Sequence, residues 1–280
     1  MARSEPAGRG GAAVDPVEEA VEMILEGDPG GIFNLANELS RTPRADVVDT
    51  LYRLAIARGV VGAPLNYGWF LTREGRHREA LTQFTAAHEA GDPLAPFHLG
   101  ETYWTMGRHR DAVTWLEQAG SREGVALRLA RSYRALGDAA KAELVLLEAK
   151  DRDAEAAVEL VTSSGVLARP AAIALLERHL ERGAVDVLIP LAELYSRDGD
   201  TATEIRLLRR SVEEGEPNAA HNLGLALWRA GRLREGRMLL KEAAARGDRL
   251  SQDRLRRIHG EHRARLRRLK REAKRARGAI

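Results

Sequence analysis

None of the 280 residues is cysteine. This excludes a disulfide scaffold, a thiol nucleophile and any zinc site built on thiolates, and it fits a reducing, cytoplasmic setting. Aromatic residues are also scarce, at 5%. No apolar run approaches the roughly 20 residues needed to span a bilayer. The stretch Met1 to Val14 carries Arg3 and Arg9 with no apolar segment behind them, so it does not read as a signal peptide. Also missing are a phosphate-cradling Gly-x-x-x-x-Gly-Lys segment, a Gly-x-Gly-x-x-Gly following a strand and a Gly-x-Ser-x-Gly elbow. His259 and His262, three apart in a basic segment, read as a solvated helix face rather than a metal pair. We therefore assign no catalytic, cofactor-binding or metal-binding residue and expect a non-enzymatic protein.

Charge is nearly balanced overall, at +3, but it is unevenly placed. From Arg249 to Ile280 there are 13 Lys or Arg against three acids, a balance of +10. The other 248 residues hold 31 basic and 38 acidic side chains, a balance of −7. A mildly acidic body thus carries a strongly basic tail. Heavy use of Arg, Ala and Gly with little Lys suggests a GC-rich bacterial genome.

What is present is repetition. Ala-Leu-Thr-Gln-Phe-Thr-Ala-Ala from Ala80, Ala-Val-Thr-Trp-Leu-Glu-Gln-Ala from Ala112 and Ala-Glu-Leu-Val-Leu-Leu-Glu-Ala from Ala142 share one pattern, each shortly after a glycine (Gly75, Gly107, Gly137). A period of this length means stacked helical hairpins, an architecture that usually provides binding surfaces. Asp15 and Pro16 open a first helix with an apolar face of Val17, Ala20, Val21, Ile24 and Leu25. Helix pairs are then expected at about 30–58, 62–90, 93–120, 124–150, 153–182, 184–214 and 217–246, with a last helix at 249–277. All pairs but the fifth place a small residue midway along the first helix (Ala36, Gly68, Gly100, Ala130, Ala192, Gly224). Most end that helix with a glycine at positive φ, and cross at a second small residue beside a large apolar one (Phe84, Leu116, Leu146, Leu176, Leu208, Leu240). The first unit has Pro43 where others have glycine. The fifth departs most, with Gly165 early and Leu160, Leu167 and His179 at positions meant for small residues, so a kink is expected near 160–170. In the sixth, Glu204 replaces the small crossing residue.

This pattern resembles the tetratricopeptide repeat, with features of its Sel1-like relatives. Pro217 to Asp248 shows it best, in Asn-Ala-Ala-His-Asn-Leu-Gly, Trp-Arg-Ala-Gly-Arg and Leu-Leu-Lys-Glu-Ala-Ala-Ala-Arg-Gly-Asp. The resemblance covers about 30–248 and implies an all-α fold, a right-handed α-solenoid of about seven antiparallel helix-pair repeats. The expected organisation is a disordered leader (1–14), a repeat domain (15–248) and a basic C-terminal helix (249–280). The resemblance further implies a concave groove lined by first helices that holds a peptide or a partner's helix. A family trait is an asparagine two residues before the small mid-helix position. Asn34, Asn66 and Asn222 match it, while His98, Arg128 and Pro190 do not. An amide that donates and accepts suits a peptide main chain, and equally suits a bridge between neighbouring helices. Trp69, Phe97, Glu101, Trp104, Arg131, Arg134 and Trp228 complete the expected groove, whose middle arginines favour a partner with acidic character.

The tail has two readings. Leu255, Ile258, Leu266 and Leu269 form a narrow apolar stripe, whose early part suits a cap over the last repeat. The basic side chains, among them Arg263, Arg267, Arg268, Lys270, Arg271 and Lys274, suit weak contact with nucleic acid or an anionic surface. No aromatic residue lies in 249–280, so bases would find no stacking platform.

Overall fold

The computed structural model describes residues 15–277; nothing is described of the side chains at 261, 262, 265, 266 and 270–277, and the expected leader lies outside these bounds. Sixteen helices occur among the described residues. α1 (Pro16–Leu25) precedes seven consecutive pairs. These are α2 (Pro29–Leu39) with α3 (Ala45–Ala57), α4 (Ala63–Arg73) with α5 (His77–Glu89), α6 (Ala95–Thr105) with α7 (His109–Gln118), and α8 (Val125–Ala135) with α9 (Ala139–Ala149). They continue as α10 (Ala154–Ser163) with α11 (Arg169–Glu181), α12 (Leu188–Arg197) with α13 (Thr201–Glu213), and α14 (Ala219–Arg229) with α15 (Leu233–Ala245). α16 (Arg249–Arg277) ends the described chain. The fold is all-α, a solenoid type built of helix pairs. It divides into two compact units, one ending at Ala142 and one beginning at Glu143.

The helix boundaries follow local chemistry. Asp15, Asp28, Asp153 and Asp200 each accept a hydrogen bond from a backbone N–H in the first turn they precede, satisfying donors the helix leaves unpaired. First helices end in a repeated turn. After Leu71, Tyr103, Tyr133, Tyr195 and Leu227, the amide five residues on donates back to that residue's carbonyl at 2.8–3.0 Å. The turn needs a left-handed residue just before that amide, and Gly75 (φ 74°) and Gly107 (φ 71°) supply it.

The small residues permit close crossings. A Cβ added at Gly100 would lie 2.6 Å from Leu116 Cγ, and one at Gly68 would lie 2.5 Å from Phe84 Cε1. Ala80, Ala112 and Ala142, the second small residues, are fully buried, as are Leu116, Leu146, Leu176 and Leu240. In the fifth pair the backbone leaves the helix at Ser164 in an extended conformation. There Leu160 and His179 are buried, with His179 Nε2 2.6 Å from the Lys150 carbonyl oxygen, so a polar ring fills a place that other repeats give to a small residue. α1 differs from its sequence reading. Ala20 is buried and Ile24 packs inward, but Val17, Val21 and Leu25 remain exposed. The helix is too narrow for all five to face α2.

In the first unit a polar clamp joins α3, α4 and α5. The Tyr67 hydroxyl donates to Asp49 (2.5 Å), Arg76 donates to the same carboxylate oxygen (2.7 Å), and Arg53 donates to the other (2.8 Å). Burial pushes the Asp49 carboxyl up, but the hydrogen bonds from Tyr67 and Arg76 and the charges of Arg76 and Arg53 outweigh it and leave the group below the ordinary carboxylate range.

Two outcomes follow. Gly100→Leu and Ala112→Leu each overfill a crossing and are expected to cost about 1–3 kcal/mol or more, read from thermal melts. Asp49→Asn is expected to cost about 1–3 kcal/mol at pH 7. A depressed carboxylate contributes stability that is present above about pH 4 and is lost as pH falls through its lowered value. Urea denaturation of parent and variant should therefore converge towards pH 3.

Candidate interaction faces

Apart from Asn34 on α2, the expected groove residues of the first unit lie on α4, α6 and α8, and His98 ties several of them together. Its ring meets Trp69 edge-on with centroids 5.1 Å apart, Phe97 edge-on at 5.1 Å, and Phe84 stacked at 5.4 Å. Such offset and T-shaped arrangements suit ring quadrupoles. From α8, Arg128 lies over the Phe97 ring at 5.4 Å and donates to Glu101 Oε1 at 2.5 Å. His98, with Nδ1 3.7 Å from Glu101 Oε2, and Arg128 hold the Glu101 carboxyl below its ordinary range despite partial burial. Trp69 remains 43% exposed at the rim of this ring cluster. Phe97, Trp104 and Arg134 are half-buried and Arg131 is exposed. In the sequence His98 stood only as a departure from the asparagine trait. The signal for its role was available, since a ring stands there where the preceding repeat carries Asn66.

The asparagines behave differently from one another. Asn66 donates its amide to Asn37 Oδ1 (2.9 Å), which also accepts from the Tyr52 hydroxyl (2.8 Å). That is the bridge between neighbouring helices which the sequence left open. Asn34 is exposed, with its amide 3.5 Å from the Met23 sulfur.

In the second unit Asn222 lines a cleft of about 230 Å³ with Ala192, Glu193, Ser196, Glu204 and Arg229. Glu204, at a small-residue position, is buried, and its charge is met by Arg229, whose side chain is largely exposed. Burying a carboxylate is costly unless it is paired, which accounts for the arginine 25 residues on. Trp228 is half-buried, and its backbone nitrogen lies 3.0 Å from where a Cβ on Gly236 would stand.

The early part of α16 lies against the last repeat. Ser251 and Ile258 are buried, the Ser251 hydroxyl is 2.9 Å from His221 Nδ1, and Gln252 donates to the Ala244 carbonyl at 3.1 Å. Asp248 accepts from the amides of Leu250 and Ser251, capping the helix. Beyond Ile258, Arg263, Arg267, Arg268 and Leu269 are exposed. The side chains of Lys270, Arg271 and Lys274 lie outside the described residues. No group of His, Asp and Glu that could hold a metal ion occurs among the described residues, and no described helix is long and apolar enough to cross a membrane.

Comparisons with known proteins agree with this architecture. Two family models described as tetratricopeptide repeat match, one over residues 97–121 and one over 217–242. Among solved structures, yeast Tom70 superposes with a TM-score of 0.62 at 15% identity, over 90% of this chain and 58% of that one. The Cut9–Hcn1 assembly of the APC/C gives a TM-score of 0.56 at 16% identity, over 86% of this chain and 51% of its counterpart. The chain therefore spans little more than half the length of either. No curated protein matches it in sequence. Two segments of the chain thus match tetratricopeptide repeats and its fold is that of tetratricopeptide solenoids; repeats of this type support a protein-interaction scaffold. The matches do not separately pick out a Sel1-like subtype.

The tail geometry generates a test. Removing residues 260–280 is expected to leave the melting temperature close to the parent's, because Ser251 and Ile258 stay in place. Ile258→Ala should lower stability by about 2–3 kcal/mol in denaturant titrations.

Proposed function

We propose that the chain is a non-enzymatic scaffold that binds an extended peptide segment of a partner protein across the first-helix face of α4, α6 and α8. The observation that carries this reading is Trp69. It is a large ring left 43% exposed, yet its edge contact with His98 holds it in place, and His98 is itself set against Phe84 and Phe97. A rigid, partly exposed aromatic loses little side-chain entropy on binding, and aromatic and arginine side chains are the common anchors of interfaces. α8 adds three arginines, Arg128, Arg131 and Arg134, and contains no acid. A peptide that lays an apolar side chain on Trp69 and turns acidic groups towards α8 satisfies both features. Asn34 and Asn222 offer amides at other repeats, whereas Asn66 is engaged by Asn37 and serves the face by fixing α4 against α2.

A test uses an array of peptides that vary in acidic and apolar content, probed with the full chain. Peptides combining an aromatic or leucine residue with two or more acids should be enriched. Trp69→Ala and Arg131→Glu should each weaken the selected peptides about tenfold or more, with helical circular dichroism unchanged. Enrichment without such a bias, or binding indifferent to both substitutions, would remove this reading.

A further inference from the structure

α1 bears two features that no contact within the described fold uses. Val17, Val21 and Leu25 stand four residues apart, so they lie one above another on a single helix face. All three are exposed, Leu25 to 81%. The inward side of α1 is supplied by other residues. Gly31 of α2 lies so close that an added Cβ would meet the Ala20 carbonyl oxygen at 2.6 Å and Met23 Cβ at 2.7 Å. The outward stripe is thus an additional apolar surface, apart from the one α1 needs for packing.

The charge around that stripe has one sign. Between Asp15 and Ser40 there are seven acids and no Lys, Arg or His. Glu18, Glu19, Glu22 and Glu26 are exposed and form no ion pair with any described side chain. Elsewhere on the chain exposed acids are commonly paired, as Glu193 is with Arg197 and Glu242 with Arg246. A cluster of like charges around an apolar stripe is a surface suited to a basic partner.

The chain itself carries such a partner. After the buried Ile258, α16 continues for 19 residues to Arg277. At 1.5 Å per residue that is about 28 Å of helix, against about 15 Å for α1. This segment presents exposed Arg263 and Arg267 and an exposed Leu269, and the tail as a whole holds the +10 balance. The segment is long enough to span α1, carries the opposite charge and exposes an apolar side chain.

We propose that the outward face of α1 is a docking surface for the distal part of α16 from a second copy of this chain. Leu269 would cover part of the Val17, Val21 and Leu25 stripe, while Arg263 and Arg267 meet Glu18 and Glu22. The contact is heterologous, one end of the chain on the other, so two copies can close reciprocally or continue as a string. A single contact between a ten-residue helix and one partner helix is small beside a standard interface, so the association is weak and depends on salt.

Sedimentation velocity on the full chain at about 50 mM and about 500 mM salt tests this. Association is expected at the lower salt and should largely disappear at the higher. Glu18→Lys with Glu22→Lys, and separately Arg263→Glu with Arg267→Glu, should each weaken self-association about tenfold or more. All four positions are exposed, and circular dichroism should show both variants folded. Mixing the two variants brings an intact acidic α1 together with an intact basic α16, and a mixed complex should form. Trp69→Ala should leave self-association unchanged, which separates this surface from the peptide-binding face. A parent chain that stays monomeric at low salt overturns the proposal. So does undiminished association of either charge variant, or a failure of the mixed variants to combine.

Discussion

At each of the clearest hairpins a leucine or phenylalanine occupies space that a Cβ on the facing helix would need. Leu116 lies against Gly100, Phe84 against Gly68 and Leu240 against Gly224. This close approach sets the distance between the two helices of a pair, and with it the positions of the side chains they carry. Interiors packed at crystal-like density cannot absorb an extra methylene there without moving backbone. The ring cluster around His98 depends on it directly, because Phe84 is both the residue that fills the Gly68 crossing and one of the rings stacked on His98. A constraint that closes one hairpin thus positions part of the surface on the next.

Several of the positions where the chain departs from its own repeat carry polar groups, and each of these has a partner. Glu204 at a small-residue position is answered by Arg229, His179 by the Lys150 carbonyl, and Arg128 at an asparagine position by Glu101 and the Phe97 ring. Such pairs need not add net stability, since the cost of removing charge from water offsets much of the attraction. They do make the units unlike one another. Identical repeats would present the same groups at every step, whereas here the first unit presents rings and arginine and the second a carboxylate-lined cleft.

The helix pairs and their ends were legible because the cues are local. Gly75 and Gly107 end first helices through a turn that needs positive φ, and Asp15 and Asp28 cap the helices they precede. The buried positions were legible because the small and large residues recur in register. Partners across helices were less so. Nothing in the spacing of Asn37 and Asn66 says that one amide donates to the other, and no local cue joins Asp49 to Tyr67 and Arg76. α1 was misjudged for a geometric reason. Its five apolar residues fit one broad arc on a helical wheel, but a single neighbouring helix covers only about half that arc, which leaves Val17, Val21 and Leu25 outside.

Contacts in each unit run mainly from one helix to the next along the chain, as α4 to α5, α5 to α6 and α6 to α7, or α12 to α13, α13 to α14 and α14 to α15. Contacts of short sequence separation demand little loop-closure entropy, so folding is fast and can begin at any well-formed hairpin. The same locality makes opening graded. α10 ends in extended backbone at Ser164, without the closing turn that ends α8 and α12. In hydrogen exchange the amides near it should belong to a small opening event of low free energy, while those facing the tight crossings of α6 with α7 and of α14 with α15 open only with much more of the chain.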